Sequence, residues 1–230
     1  MKILSFDTTL ETCSVAVLRD EVLLAHRAQR LERGHAEALL PMIEATMAEA
    51  RLDFSDLDVV AVTVGPGTFT GQRIGLAAAR GIGLAQNIPV QGVTTLDAMA
   101  YGVAAAGLCQ GHEDILVALD ARREEVNLQL YRQPLAWPQS ISEPIAVPIA
   151  ELGDHVPAGP CVVVGSGASL IREVFSADGL RFLATNETAD AQYVAALALR
   201  QIAVAGLPTR PPAPLYLRGP DAKLPGGRSL

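Results

Sequence analysis

The sequence predicts an α/β protein made of two related halves. Hydrophobic residues account for 50% of the 230-residue chain and aromatic residues for only 4%, as in proteins whose small apolar helices pack closely on sheets. Runs typical of strands alternate with runs of helical periodicity. The order strand, strand, strand, helix, strand, helix starts again near residue 108. We therefore expect one unit over residues 1–107, a smaller one over 108–206 whose last helix can pack across both units, and an extended tail over 207–230.

The first unit is predicted to begin with an antiparallel meander, because short polar connections separate its first three strands. In the first helix, Leu39, Ile43 and Met47 recur every four residues and form an apolar stripe. Pro41 lies early enough to belong to the first turns of this helix, or else it kinks the helix. The predicted elements are strands 2–7, 13–19 and 22–30, helix 35–50, strand 59–64, helix 70–86, strand 89–94 and helix 96–106.

The second unit repeats this order with a less regular middle. Two apolar strands face each other across a charged turn, and the proline-rich stretch 133–160 is predicted to be irregular with edge strands. A further strand of the buried type ends at a Gly-Ser-Gly turn that leads into a helix. The predicted elements are strands 115–119, 126–131 and 161–164 and helices 169–175 and 190–205.

Charge and cysteine usage argue against several classes of protein. The chain carries 18 basic and 25 acidic residues, a net charge of −7, and no block of Lys or Arg, so we do not expect it to bind nucleic acid on its own. The cysteines, Cys13, Cys109 and Cys161, are odd in number and widely spaced, which argues against a disulfide framework or a zinc ribbon. The amino terminus becomes acidic at Asp7, too soon for a signal-peptide core, and no stretch approaches the uninterrupted apolar length of a membrane span. We therefore expect a cytoplasmic protein without membrane contact.

Two strand-loop-strand units carry an acid at the turn, and this arrangement resembles the one by which actin-like ATPases hold phosphates and magnesium between two related halves. Phosphates approach a hairpin backbone only where side chains are missing, so such loops need glycine beside the acid. Neither loop has a glycine. The turn at 165–167 would suit the nucleoside side of such a cleft, although glycine turns are common. We interpret six positions as remnants of a nucleotide cleft and expect no cofactor: Asp7, Thr8, Asp120, Arg122, Gly165 and Gly167.

A glycine-rich block over residues 65–71 looks superficially like a phosphate cradle at a helix start. It lacks the Gly-Lys-Ser/Thr ending of a P-loop, and Thr68 or Thr70 is more simply explained as the helix N-cap. Each glycine inside the following helix costs about 1 kcal/mol of helix stability relative to alanine. A ridge of small side chains therefore predicts a close neighbour, either in this chain or in another one. The ridge consists of Gly71, Gly75, Ala79 and Gly83.

Longer motifs resemble the bacterial TsaB (YeaZ) family over essentially the whole chain. They are Ile3-Leu4-Ser5-Phe6-Asp7-Thr8-Thr9 with Cys13-Ser14-Val15-Ala16, the segments 34–41 and 65–75, Asp120-Ala121-Arg122-Arg123 and the closing Tyr216-Leu217-Arg218. The resemblance implies a two-lobed fold of the actin/Hsp70/sugar-kinase class. It also implies a role in forming N6-threonylcarbamoyladenosine at position 37 of tRNAs that read codons beginning with A. Thr68, Gln72 and Asn127 depart from the residues that are frequent in the family.

In that family TsaB is the non-catalytic partner of the paralogous transferase TsaD, and a small ATPase, TsaE, joins the assembly. By this resemblance we expect tRNA to be contacted only through the assembly. We expect the paralogue to dock on the faces of helices 36–50 and 70–86, and the lone chain could pair with itself through the same surface. The predicted interface residues are Leu39, Ile43, Met47, Gly71, Ile74, Gly75, Ala78 and Ala79.

Catalysis by this chain alone is the competing hypothesis. The family's catalytic paralogue carries a His-x-x-x-His pair at positions that correspond to Thr95 and Met99, neither of which is a plausible metal ligand. The four histidines show no ligand spacing, so no metal site is expected. A hydrolase, suggested by an older glycoprotease label for relatives, lacks a G-x-S-x-G motif here. An ATP-dependent transferase or kinase that uses Asp7, Asp120 and the Gly165 turn remains the alternative.

Overall fold

A computed structural model describes residues 1–132, 137–175, 179–184 and 188–218. The strands are β1 (Lys2–Asp7), β2 (Thr12–Arg19), β3 (Val22–Arg30), β4 (Val59–Thr63), β5 (Val90–Val93), β6 (Asp114–Arg122), β7 (Glu125–Arg132), β8 (Gln139–Ser140), β9 (Ile145–Pro148), β10 (Cys161–Val164) and β11 (Leu180–Phe182). The helices are α1 (His35–Ala50), α2 (Phe69–Gln86), α3 (Thr95–Ala105), α4 (Ala168–Val174) and α5 (Ala191–Ala205). Residues 133–136 of the stretch predicted to be irregular, and 219–230 of the predicted tail, lie outside the described residues. Within the described residues, no helix combines the length and apolarity needed to cross a bilayer.

The two sheets repeat one strand order, and this repetition establishes the predicted two-lobed α/β architecture. The first sheet runs β3-β2-β1-β4-β5, with β1, β2 and β3 antiparallel and β1, β4 and β5 parallel. In the second sheet β9-β7-β6-β10-β11 follow the same order and the same directions, and β8 also pairs with β7. A parallel pair needs a crossover connection, which explains why helices separate β1 from β4 and β4 from β5.

Helices and sheets alternate in layers, with a hydrophobic cluster at each contact. The helices α1 and α2 cover one face of the first sheet through α1·β2 and α2·β4 contacts. The opposite face packs on α5, which in turn contacts α3, and α3 lies on the second sheet. The far face of the second sheet packs on α4. Strands β4 and β10 are buried throughout because both of their faces are covered, which agrees with their continuous apolar sequences.

The last helix is attached to the first sheet by buried hydroxyl groups. Ser5 Oγ donates to the carbonyl oxygen of Ala191 over 2.7 Å, and Ser14 Oγ accepts from the Ala191 amide over 3.0 Å. Asp190 caps the helix by accepting from the Gln192 amide. The chain therefore returns from the second sheet to the first before it ends, and the predicted domain boundary at 107/108 stays a prediction.

The predicted interface stripe on α1 faces the first sheet at three of its members. Leu39, Ile43 and Met47 are no more than 3% exposed and pack against that sheet in their own chain, so they leave almost no surface for a partner. Their helical periodicity is real, but an apolar stripe on a helix next to a sheet is explained by that sheet first. Pro41 lies inside α1, beyond its first turn, and points outward.

The small-residue ridge on α2 also faces this chain. A Cβ atom on Gly71 would overlap the carbonyl oxygen of Thr8, and one on Gly83 would lie 2.5 Å from Val90 Cγ2. Gly75 and Ala79 are buried in the same contact. The close neighbour of the ridge is thus the β1–β2 loop and the first sheet, so Gly71, Gly75 and Ala79 pack within this chain. Ile74 and Ala78 are half-buried.

Candidate functional site

A cleft of about 750 Å³ opens where the two sheets face each other at the ends of their first strands. Four loops and the C-terminal tail form its walls: the β1–β2 loop, the glycine-rich block before α2, the β6–β7 hairpin and the turn after β10. The equivalent strands of the two halves thus bring their acid loops to one cleft. This is the place at which the sequence predicts the remnant of a nucleotide site.

Asp7 lies beneath the cleft wall and is fully buried. Its Oδ1 atom accepts hydrogen bonds from the Thr9 amide, the Thr9 hydroxyl and the Thr63 hydroxyl. Its Oδ2 atom is buried without a hydrogen-bond partner among the described residues. Burial raises the pKa of Asp7 to about 6, although the hydrogen bonds from Thr63 and Thr9 oppose this shift. Asp7 therefore links the end of β1 to β4 through Thr63, and its side chain does not line the cleft.

The glycine-rich block closes directly over this first acid loop. The Thr68 amide donates to the Thr9 carbonyl oxygen over 2.8 Å, and the Thr8 hydroxyl donates to the Gly71 carbonyl oxygen over 2.7 Å. A Cβ atom on Gly67 would lie 2.5 Å from the Thr9 carbonyl oxygen, so glycine is required for this approach. Thr68 is the N-cap of α2, as one of the two predicted alternatives, because its hydroxyl accepts from the Gly71 amide. The block therefore packs on the β1–β2 loop and buries Thr8.

The second acid loop reaches the cleft, but side chains fill the place of glycine. Asp120 accepts a hydrogen bond from the Arg122 amide over 2.7 Å, and the Arg122 guanidinium lies 3.2 Å from its other oxygen. Arg122, Arg123 and Glu124 have φ angles of 66°, 53° and 62°, which L residues adopt at a cost. A phosphate at this hairpin would meet side chains rather than bare amide groups.

The two predicted glycines after β10 serve the fold, and the residue between them lines the cleft. Gly165 has a φ of 101°, and a Cβ atom there would overlap the Ala118 carbonyl oxygen. A Cβ atom on Gly167 would lie 2.9 Å from Val126 Cγ1. These glycines let the turn approach β6, whereas the Ser166 hydroxyl accepts from the Asp120 amide over 3.1 Å.

Sequence reasoning missed several residues that line the cleft. Ser166 lies in the turn at 165–167 and Phe69 in the glycine-rich block, but neither was predicted as a site residue. No local pattern places them and Asn127 at one cleft, and only the sheet topology does so. The closing Tyr216-Leu217-Arg218 motif forms part of the wall, although it lies in a segment predicted only as an extended tail. The positions that correspond to metal ligands in the catalytic paralogue are buried: Thr95 donates to the Thr9 hydroxyl, and Met99 packs in the core. Within the described residues, no three His, Cys, Asp or Glu side chains are grouped so as to hold a metal ion.

Comparison with known proteins gives one coherent family. Residues 27–210 match the family model described as "TsaD: tRNA N6-adenosine threonylcarbamoyltransferase". The chain is 38% identical over 133 residues to the tRNA threonylcarbamoyladenosine biosynthesis protein TsaB of Escherichia coli K12, a match that covers 58% of this chain and 56% of that protein. The chain thus aligns with little more than half the length of this relative. It is also 36% identical over 223 residues to Rv3421c of Mycobacterium tuberculosis H37Rv, covering 96% of this chain and 93% of that one.

The structure of YeaZ from Pseudomonas aeruginosa is similar over 94% of this chain and 99% of that chain. The TM-score is 0.83 and the sequence identity is 27%. This similarity and the repeated strand order confirm the predicted actin/Hsp70/sugar-kinase-like fold.

Proposed function

Because the chain belongs to the TsaB (YeaZ) family, we propose that it is a non-catalytic partner subunit in the formation of N6-threonylcarbamoyladenosine on tRNA. The modified position is position 37 of tRNAs that read codons beginning with A. A TsaD-type transferase supplies the catalytic site, and a TsaE-type ATPase joins the assembly. This role places the chain in the cytoplasm.

The observation that carries the proposal is the closed first acid loop. Asp7 is buried beneath Thr9 and the glycine-rich block, so its carboxylate cannot bind a metal ion in the cleft without a rearrangement of the α2 start. The second loop presents arginine side chains where a phosphate cradle needs bare backbone. Both features support the proposal that the chain has the fold of a nucleotide-dependent enzyme but lacks the loops that would bind the phosphates and the metal ion.

Docking of the paralogue uses the outer faces of α1 and α2 rather than the buried stripe. Leu40 is 54% exposed on α1, Leu84 is 86% exposed on α2, and Ile74 and Ala78 of α2 are half-buried. Exposed leucines flanked by small residues favour close helix packing. A paralogue with equivalent helices completes a four-helix contact, and a second copy of this chain can use the same surface when the paralogue is absent.

Transfer RNA is held mainly by the other subunits. With a net charge of −7, this chain gains little from releasing counterions of the RNA backbone. We expect tRNA binding by the lone chain to be weak, and tight, salt-sensitive binding would contradict this part of the proposal.

Titration and reconstitution test the proposal together. Isothermal titration of Mg-ATP into the lone chain should give no saturable heat, and the lone chain should transfer no threonylcarbamoyl group to tRNA. Adding it to the TsaD-type paralogue should restore transfer. Turnover by the lone chain that Asp7→Ala abolishes would favour the ATP-dependent transferase or kinase instead.

A further inference from the structure

The C-terminal segment 207–218 crosses the cleft mouth after the last helix has ended. We infer that this segment is a strap that closes the cleft between the two sheets, and that its seat on α2 couples closure of the cleft to binding on the outer face of that helix. The closure stands on contacts within this chain. The coupling rests on the proposed function, because it takes the TsaD-type paralogue as the partner on α2.

The first part of the strap is fixed to the edge of the first sheet. The Leu215 amide donates to the Val64 carbonyl oxygen over 2.8 Å, and the Leu215 side chain packs on the core between this sheet and α2. Pro212 lies so close to Gly92 that a Cβ atom there would be 2.6 Å from Pro212 Cβ. The Arg80 guanidinium donates to the Pro212 carbonyl oxygen. Side-chain and backbone contacts therefore hold one extended conformation.

An aromatic stack fastens the strap to the start of α2. The rings of Tyr216 and Phe69 are stacked with centroids 5.7 Å apart, and the Arg73 guanidinium lies 3.6 Å above the Phe69 ring. Arg73 Nε also donates to the Tyr216 hydroxyl over 3.2 Å. The contacts reinforce each other, because the same guanidinium makes a cation–π contact with Phe69 and a hydrogen bond to the hydroxyl of the Tyr216 ring stacked on it. Phe69 and Tyr216 remain 56% and 43% exposed, so they offer a surface that a partner can still bury.

The end of the described strap reaches the second sheet. Arg218 Nη1 lies 3.3 Å from Glu125 Oε2, at the first residue of β7. Leu217 and Arg218 also line the cleft. A single segment thus contacts both sheets and α2, and its release removes one wall of the cleft.

The seat of the strap and the proposed docking face share α2. Arg73 and Arg80 hold the strap, while the half-buried Ile74 and Ala78, which belong to the proposed docking face, lie on the same turns of α2. A partner that packs on these turns holds the two arginines and the half-exposed rings in place. Binding on α2 and closure of the strap therefore favour each other.

Hydrogen exchange of the full-length lone chain tests the strap. Loss of the stack in Tyr216→Ala should raise exchange of the Leu215 amide by about tenfold or more and should increase exchange in peptides covering 119–124. Tyr216→Phe keeps the stack and should change these rates much less. Val22→Ala, at an exposed position on β3, which is the edge strand farthest from β5 in the first sheet, is the matched control. Rates for Tyr216→Ala within twofold of the control would overturn the strap.

Exchange in the presence of the TsaD-type paralogue tests the coupling. Saturating paralogue should slow exchange of the Leu215 amide in the wild-type chain, and Tyr216→Ala should weaken paralogue binding severalfold. Unchanged Leu215 exchange in a formed complex would overturn the coupling. If the wild-type chain binds no paralogue, the proposed function and the coupling fail together, while exchange of the lone chain still decides whether the strap exists.

Discussion

Replacing Asp7 with asparagine should remove a pH-dependent loss of stability. The carboxyl group is fully buried, and its pKa is raised from 3.8 to about 6 chiefly by desolvation. The folded chain therefore binds the proton more tightly than the unfolded chain, so stability falls as pH rises between these two values and is level above them. A shift of this size corresponds to about 3 kcal/mol of unfolding free energy, at about 1.4 kcal/mol per pKa unit. The asparagine side chain would keep an oxygen for Thr9 and Thr63 and imitates the protonated acid.

Urea unfolding of Asp7→Asn and wild type at pH 4 and pH 7 measures this contribution. The quantity of interest is the change with pH in the difference between their two unfolding free energies. The unfolding free energy of Asp7→Asn relative to wild type should rise by about 2–3 kcal/mol between the two pH values, which span most of the titration. Titration of the other carboxyl groups cancels in this comparison. Asp154→Asn, at an exposed position, should show no such rise and serves as the control. If the difference between Asp7→Asn and wild type is the same at both pH values, the reasoning about the buried carboxyl is refuted.

Three substitutions and one matched control separate core, loop contact and docking face. Ile43→Glu should lower the unfolding free energy by at least about 3 kcal/mol, because it buries an unpaired charge. Leu84→Glu should leave the circular dichroism spectrum native and abolish the complex with the paralogue in size-exclusion chromatography. Wild-type stability of Ile43→Glu, or full complex formation by Leu84→Glu, would contradict the assignment of core and docking face. Gly71→Ala should cost about 1–3 kcal/mol through overlap with the β1–β2 loop, while Gly81→Ala in the same helix has free space and should stabilise by about 0.5–1 kcal/mol. Equal effects of the two alanines in thermal unfolding would argue against that overlap.

Most elements and their order could be predicted because they depend on local patterns, whereas the three-residue strand β11 was not predicted. The meander, the buried strand β4 and the long α2 follow from residue spacing and from glycine and proline at their ends, and the observed bounds differ from the predicted ones by only a few residues. The absence of glycine beside Asp7 and Asp120 could also be recognised from the sequence, because a phosphate-binding loop needs glycine within a few residues of the acid. Local sequence does not reveal what an apolar stripe packs against. Leu39, Ile43 and Met47 would show the same spacing beneath a sheet or at an interface.

The sequence by itself determined the fold class, the family motifs and the absence of glycine from the two acid loops, because each depends on residue types at fixed short spacings. Only the tertiary structure decided that the glycine block closes over Asp7, that the small ridge of α2 packs within this chain, and that Tyr216 stacks on Phe69 at the wall of the cleft. These contacts join residues far apart in the chain, and no local pattern encodes them. Their physical basis is the strand order, which brings the loops of both halves and the C-terminal segment to one place.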